Sequence, residues 1–138
     1  MLKIISTYFT ALFTFLVLDL FWLNIAAGEL YKRTLDGYLA DQPSLLPAFI
    51  LYTLLVAGLT YFVLLPLQKD KNLPLALGRA AFLGVLCYAT YDLTNLAVAQ
   101  SWPLSITIID IIWGAVLMAS TTAITSILIQ KYHPHNKK

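Results

Sequence analysis

Residues 46–67 read LPAFILYTLLVAGLTYFVLLPL, an apolar stretch that contains no acidic or basic side chain. A helix needs about 20 mostly apolar residues to cross the hydrocarbon core of a bilayer. This stretch is long enough, so it predicts a transmembrane helix. Three more stretches of the same kind lie at about residues 4–26, 75–99 and 103–129, with short polar segments between them. The sequence therefore predicts one all-α domain over residues 1–138, built as a four-helix transmembrane bundle.

The composition of the chain is typical of an integral membrane protein. Of its 138 residues, 59% are hydrophobic and only 12% are charged, whereas a soluble domain carries about 25% charged residues. The lipid bilayer is therefore the expected surrounding of the bundle, and a homo-oligomer is left open. The net charge of +2 is too small to indicate nucleic-acid binding, and the single cysteine, Cys87, excludes an intramolecular disulfide.

The distribution of basic residues predicts the orientation of the bundle, because cytoplasmic loops carry an excess of Lys and Arg. Most basic residues flank the helix ends on one side of the membrane, and the other side holds only Lys32 and Arg33. We therefore predict that both termini and the middle loop are cytoplasmic. The basic residues on the predicted cytoplasmic side are Lys3, Lys69, Lys71, Arg79, Lys131, Lys137 and Lys138.

The first outer loop, GELYKRTLDGYLADQ at residues 28–42, has an amphipathic pattern. Its apolar side chains, such as Leu30 and Leu35, lie roughly on one helical face, and charged side chains occupy much of the other. This pattern predicts a short interfacial helix on the outer leaflet. An ordinary polar loop is the alternative.

Three aspartates interrupt the apolar spans, and a tryptophan or an asparagine follows each of them three residues later. A carboxylate inside a bilayer costs several kcal/mol unless it is protonated, paired or hydrated, so these residues indicate a site. Counted from the predicted outer helix ends, each aspartate lies about seven residues deep, or roughly 10 Å at 1.5 Å per residue. The pairs are Asp19 and Trp22 in LDLFWL, Asp92 and Asn95 in YDLTNL, and Asp110 and Trp113 in IDIIWG.

The equal depth predicts that the three aspartates meet in one polar layer in the outer half of the membrane. The i,i+3 spacing puts each carboxylate on the same helix face as its Trp or Asn, whose N–H groups can donate to a carboxylate. Tyr52 on the second helix lies near the same level, and Tyr88 precedes Asp92 by four residues on the third. Glycines that would let the helices approach closely are Gly58, Gly84 and Gly114. The predicted ligand-binding residues are Asp19, Trp22, Tyr52, Tyr88, Asp92, Asn95, Asp110 and Trp113.

The leading interpretation of this layer is a site that binds, and in a transporter would move, a cationic or polar-headed small molecule or a proton. An enzyme acting on a lipid or isoprenoid, with an aspartate as acid or base, is a second interpretation. A structural subunit of a membrane complex is a third. No serine–histidine pair, metal-ligand cluster or phosphate-binding loop accompanies the aspartates, so catalytic residues cannot be assigned. His133 and His135 in the tail are expected to be solvated, and we predict neither a metal nor a cofactor.

Protonation is part of the same interpretation. Three carboxylates at one level cannot all be ionised at low cost, because desolvation and mutual repulsion both favour the neutral acid. We therefore predict that at least one is protonated at pH 7 and that the three titrate as a coupled group. A cationic ligand would then compete with protons for the site.

Three segments of the chain resemble a known family: LDLFWLNIAAGELYKRTL, PAFILYTLLVAGLTYFVLLP and YATYDLTNLAVAQSWPLSITIIDIIWG. From about Leu18 to Met118 the chain resembles the bacterial membrane proteins grouped as domain of unknown function family 2177. Asn24 and Ile25 stand where a small residue is expected near the first Asp–Trp pair. The resemblance implies a multi-pass, four-helix protein of the bacterial plasma (inner) membrane. It implies no activity and no catalytic residues.

Overall fold

A computed structural model describes residues 2–36, 38 and 44–132 of the chain. Four of its helical stretches are long and apolar enough to cross a membrane, and the described residues contain no strand. The predicted all-α, four-helix transmembrane fold is thereby confirmed, while the orientation of its ends stays a prediction. We call these stretches the first to fourth spans, and they are Leu2–Ile25, Leu45–Asp70, Leu73–Val98 and Leu104–Lys131.

The described residues form six α-helices and two π-helical segments, and all of the α-helices except α2 lie in the spans. The π-helical segments are Trp22–Ala26, which extends the first span, and Thr60–Leu64, which interrupts the second. The α-helices are α1 (Leu2–Phe21), α2 (Gly28–Thr34), α3 (Leu45–Leu59), α4 (Leu65–Asp70), α5 (Leu73–Val98) and α6 (Leu104–Tyr132). Helix α2 occupies part of the predicted interfacial segment. Residues 37 and 39–42 of that segment, and the tail with His133 and His135, lie outside the described residues.

Local backbone chemistry explains the tight connection between the second and third spans. Lys71 adopts a left-handed conformation with φ of 54°, and this ends α4. The side chain of Asn72 then accepts a hydrogen bond from the backbone N–H of Leu75 at 3.1 Å, which caps the start of α5. Pro74 follows in the first turn, where its missing N–H costs no helical hydrogen bond. The two spans therefore run in opposite directions.

Helices α5 and α6 form the most extensive helix pair, and two glycines bring their backbones together. A Cβ atom added at Gly114 would lie 2.9 Å from the carbonyl oxygen of Gly84, and one added at Gly84 would overlap the backbone of Gly114. Only glycine permits this approach. The expectation for Gly58 is wrong, because a Cβ atom there would meet nothing within 4 Å. Gly58 does not lie at a helix contact, whereas Gly84 and Gly114 do.

Large apolar side chains fill the centre of the bundle one to two turns from Asp19. They form what we call the apolar layer, which consists of Phe15, Val56, Leu59, Leu117 and Met118, each 0% exposed. The outer surface of the bundle is also apolar, since side chains such as Phe9 and Phe13 are exposed. A water-soluble domain rarely exposes a continuous surface of this kind. The exposed apolar surface of the bundle is therefore suited to contact with lipid.

Candidate functional site

Asp19 joins three of the four spans through its carboxylate. Its side chain is only 5% exposed. The Tyr52 hydroxyl, from the second span, donates to Oδ2 at 2.6 Å. The Trp113 indole N–H, from the fourth span, donates to Oδ1 at 3.0 Å. Both carboxylate oxygens therefore have a neutral donor, which is what a polar group in a bilayer needs to be stable there.

A stacked pair of tryptophans extends this contact toward the loop end of α1. The rings of Trp22 and Trp113 lie 4.4 Å apart with only 9° between their planes. The indole N–H of Trp22 donates to the Tyr31 hydroxyl at 3.2 Å, and Tyr31 in turn donates to Asp110. A continuous set of side chains therefore links Asp19 to Asp110. We call it the aspartate network, and it consists of Asp19, Trp22, Tyr31, Tyr52, Asp110 and Trp113.

The backbone turn after the first span positions Tyr31. The π-helical segment ends with a hydrogen bond of 2.9 Å from Ala27 N–H to the Trp22 carbonyl, and α2 begins at the next residue. A Cβ atom at Gly28 would lie 2.5 Å from the carbonyl oxygen of Leu23, so the turn requires glycine. This sharp reversal brings Tyr31 back over the bundle. π-helical segments are frequent at functional sites.

Sequence reasoning missed Tyr31, because the amphipathic pattern assigned this segment to the membrane surface. Burial, together with the hydrogen bond to Asp110, raises the pKa of Tyr31 above its ordinary value. The hydroxyl therefore remains a neutral donor to Asp110 at neutral pH. A signal was present in the sequence, since Tyr31 precedes the buried Leu35 by one helical turn and so lies on the same face.

Asp92 differs from the other two aspartates. It is 0% exposed, yet neither of its carboxylate oxygens has a hydrogen-bond partner among the described residues. It interacts electrostatically with Asp110. A buried polar group without a partner costs free energy, and a charged one costs far more. Among the three aspartates, Asp92 is therefore the one whose carboxyl group lacks hydrogen-bond partners.

The register of the close helix contact places Asp92 further from the bundle centre than Asp110. Gly84 and Gly114 touch, so they lie at one depth. Asp92 follows Gly84 by eight residues, or about 12 Å along α5, whereas Asp110 precedes Gly114 by four residues, or about 6 Å along α6. The three carboxylates thus form a stepped series from Asp19 through Asp110 to Asp92. The equal depth inferred from the helix ends does not hold, because α5 extends beyond the start of α6.

Two more unpartnered polar groups lie at the level of Asp92. Thr107 precedes Gly114 by seven residues, or about 10 Å, and its hydroxyl is buried without a partner. The indole N–H of Trp102 lies near the Asp92 carboxyl group and interacts with it, but the contact does not have the geometry of a hydrogen bond within the described part of the chain. We call Asp92, Trp102 and Thr107 the outer cluster. Sequence reasoning missed Trp102, whose position in the loop before α6 carries no periodic signal.

The structure brings most of the predicted residues together but pairs them differently from the i,i+3 expectation. The donors to Asp19 come from other spans, and Trp22 donates to a tyrosine. Tyr88 packs against Gly114 in the α5–α6 contact. Asn95 does not join the site, because its amide donates to the Tyr91 carbonyl of its own helix at 3.0 Å.

The charge balance of the site is acidic. Within the described residues the one ion pair is Arg33–Glu29 at 3.9 Å, and both side chains are largely exposed on α2. Arg79 lies thirteen residues before Asp92 on α5, or about 20 Å away along the helix. No group of three or more potential metal ligands occurs in this part of the chain. The site can therefore hold protons on its carboxyl groups or attract a cation.

The chain belongs to the DUF2177 family, which is described as a predicted membrane protein family, and the match covers residues 4–127. The resemblance carried by the sequence motifs is thereby confirmed. No curated protein and no solved structure shows significant similarity to the chain. Family membership supports the membrane fold and assigns no function.

Proposed function

We propose that the protein binds a cationic small molecule in exchange for a proton, with Asp92 as the exchanging acid and Asp110 beside it. The observation that supports this most strongly is Asp92 itself, fully buried with both oxygens unpartnered among the described residues. A carboxyl group in such surroundings is stable when neutral. A cation that supplies the missing charge makes the ionised form stable instead. Binding therefore releases the proton.

Asp19 has a different role in this proposal. Its two oxygens already accept hydrogen bonds from Tyr52 and Trp113, so it holds the spans together and does not need a ligand. In this proposal Asp19 stabilises the bundle, and Asp92 exchanges the proton for the cation. A purely structural role thus falls to one aspartate rather than to all three.

The ring of Trp102 beside Asp92, together with two tyrosine rings that pack on it, favours an organic cation over a small hydrated ion. The centroid of the Trp102 ring lies 5.6 Å from that of Tyr38 and 5.9 Å from that of Tyr91, and both pairs are nearly perpendicular. Aromatic faces attract ammonium-type cations, and the attraction strengthens when the site excludes water. Together with the carboxyl groups, these rings suit a cation that carries apolar substituents.

The proposal includes the predicted setting, a bacterial plasma membrane with both termini in the cytoplasm. The basic residues at the cytoplasmic helix ends support this orientation. The outer cluster then lies on the external side of the membrane. A transported cation would enter from there or leave there.

The test uses the purified protein in lipid nanodiscs in weakly buffered solution, with tetraphenylphosphonium as the probe. We expect addition of the probe near pH 7 to release protons, detected with a pH-sensitive dye, and its affinity to fall by up to about tenfold per pH unit as the solution is acidified. The Asp92→Asn variant should fold normally and release no protons when the probe is added. Asp36→Asn, on the exposed loop, is the matched control and should behave like the parent. Proton release that persists in Asp92→Asn would contradict the proposal.

A further inference from the structure

Ten threonine hydroxyls of the four spans fall into two groups. Six of them donate to the carbonyl four residues earlier in the same helix, which is a common way to satisfy a hydroxyl in lipid. This group consists of Thr7, Thr14, Thr53, Thr90, Thr94 and Thr122, with distances from 2.6 to 3.0 Å. The second group consists of Thr60, Thr107, Thr121 and Thr125, whose hydroxyls are buried without a partner in the described residues.

Three members of the second group lie in the half of the bundle opposite to the outer cluster. Thr60 is 4% exposed, and Thr121 and Thr125 are both 0% exposed. Thr121 and Thr125 are four residues apart on α6, so they lie on one face. None of the three hydroxyls donates to the carbonyl four residues earlier, or to any other group among the described residues. A hydroxyl that gives up its own helix needs another partner.

The register of the spans places Thr60 and Thr121 at the same depth. Tyr52 and Trp113 both donate to Asp19 and therefore share a level. Thr60 follows Tyr52 by eight residues, and Thr121 follows Trp113 by eight residues, so both lie about 12 Å below that level. The segment Thr60–Leu64 contacts α6. Thr125 lies one helical turn further from the Asp19 level than Thr121 does.

The backbone is distorted where Thr60 lies. The second span changes from α- to π-helical at this residue, and the N–H of Thr60 is shared between the carbonyls of Val56 and Ala57. Such changes in the hydrogen-bonding ladder occur where a side chain or a water molecule inserts into a helix. A water molecule beside Thr60 is one cause of this kind, and Pro66, which has no N–H and lies six residues further along the span, is another.

Further polar groups lie between this position and the end of the bundle where α4 ends. Thr7 precedes Asp19 by twelve residues, and Thr125 follows Trp113 by twelve, so both lie about 18 Å below the Asp19 level. The hydroxyl of Thr7 accepts a hydrogen bond from the Gln68 side chain at 2.8 Å. In the opposite direction the apolar layer separates the three hydroxyls from Asp19. The hydroxyls thus lie between the apolar layer and the end of the bundle where α4 ends.

We infer that Thr60, Thr121 and Thr125 bind water molecules and form an inner hydrated site, through which protons leave the bundle on the side opposite to the outer cluster. The transfer conserves protons, because each hydroxyl and each water accepts one proton from a neighbour and donates one onward. The apolar layer makes this site separate from the aspartates, so protons cross only when the layer rearranges. The role in exchange rests on the proposed function, whereas the binding of water does not.

The binding of water is tested by solid-state NMR of the protein in bilayers, with magnetisation transferred from water to the protein. Signals of Thr121 and Thr125 should receive water magnetisation rapidly. Thr90, which faces lipid and donates to its own helix at 2.6 Å, should receive it slowly. Equal, slow transfer to all three residues would overturn the inference whatever the outcome for cation binding.

The role in proton exit is tested in proteoliposomes that contain a trapped pH dye, with a tetraphenylphosphonium gradient as the driving force. The double variant Thr121→Val/Thr125→Val should slow the coupled proton flux severalfold while leaving the affinity for the probe unchanged. Thr122→Val is the matched control, since its hydroxyl donates to Met118, and it should keep the parental flux. A parental flux in the double variant overturns the proton exit. Failure of the parent to bind the probe overturns the proposed function instead.

Discussion

Replacing Asp19 tests whether its carboxylate holds three spans together. Asp19→Leu leaves the donors of Tyr52 and Trp113 without an acceptor, which removes two hydrogen bonds. In water-soluble proteins each unsatisfied buried donor costs about 1–3 kcal/mol. Measured interhelical hydrogen bonds in membranes average only about 0.6 kcal/mol, with a maximum near 1.7, because the unfolded chain in lipid also finds partners. The value for membranes applies to this protein, so we expect Asp19→Leu to lower the free energy of unfolding by about 1–3 kcal/mol for the two bonds.

Asp19→Asn should be far less damaging, because of the chemistry of the two donors. The indole N–H of Trp113 can only donate, so it keeps the amide oxygen as its acceptor. The Tyr52 hydroxyl can also accept, so it can turn and receive the amide N–H. Both contacts survive, and we expect the free energy of unfolding to stay within about 0.5 kcal/mol of the parent.

The assay is reversible unfolding in mixed micelles with an increasing fraction of sodium dodecyl sulfate, followed by far-ultraviolet circular dichroism. The expected loss for Asp19→Leu corresponds to roughly a 5- to 150-fold larger unfolded population. Asn24→Leu is the control, since Asn24 donates only to the Leu20 carbonyl of its own helix at 2.7 Å. In a Tyr52→Phe background, Asp19→Leu should lose about half of its effect. The reasoning is refuted if Asp19→Leu is no worse than the control, or if Asn is as damaging as Leu.

Three further predictions concern packing, the position of α2 and orientation. Gly84→Ala should destabilise the α5–α6 pair by more than about 2 kcal/mol because its Cβ atom would overlap backbone, whereas Gly58→Ala should be neutral in the same unfolding assay. Tyr31→Phe should free α2 from Asp110, which hydrogen exchange of the α2 amides would report as faster exchange. Cysteines placed at Asp36 and Asp70 should be labelled from opposite sides of the membrane, and labelling of both from outside intact cells would exclude the predicted topology.

The sequence by itself determined that the chain is a four-span membrane protein, as the length of the run at residues 46–67 shows. A bilayer offers no water to the backbone, so an apolar stretch of sufficient length has to form a helix. The same reasoning singled out Asp19, Asp92 and Asp110, because a carboxyl group in lipid is expensive wherever it lies. These conclusions depend on the solvent alone and need no knowledge of which helices touch.

The tertiary structure decided how those carboxyl groups are satisfied. Hydrogen-bond partners depend on the relative shift of neighbouring helices, and helical periodicity does not encode that shift. The contact between Gly84 and Gly114 sets the shift of α5 against α6, and it moves Asp92 away from the level that counting from the helix ends predicted. Tyr31 lies in the site because a turn that requires glycine folds α2 back over the bundle. Local sequence patterns report which face of a helix is polar, whereas the partner of that face is chosen by contacts between residues far apart in the chain.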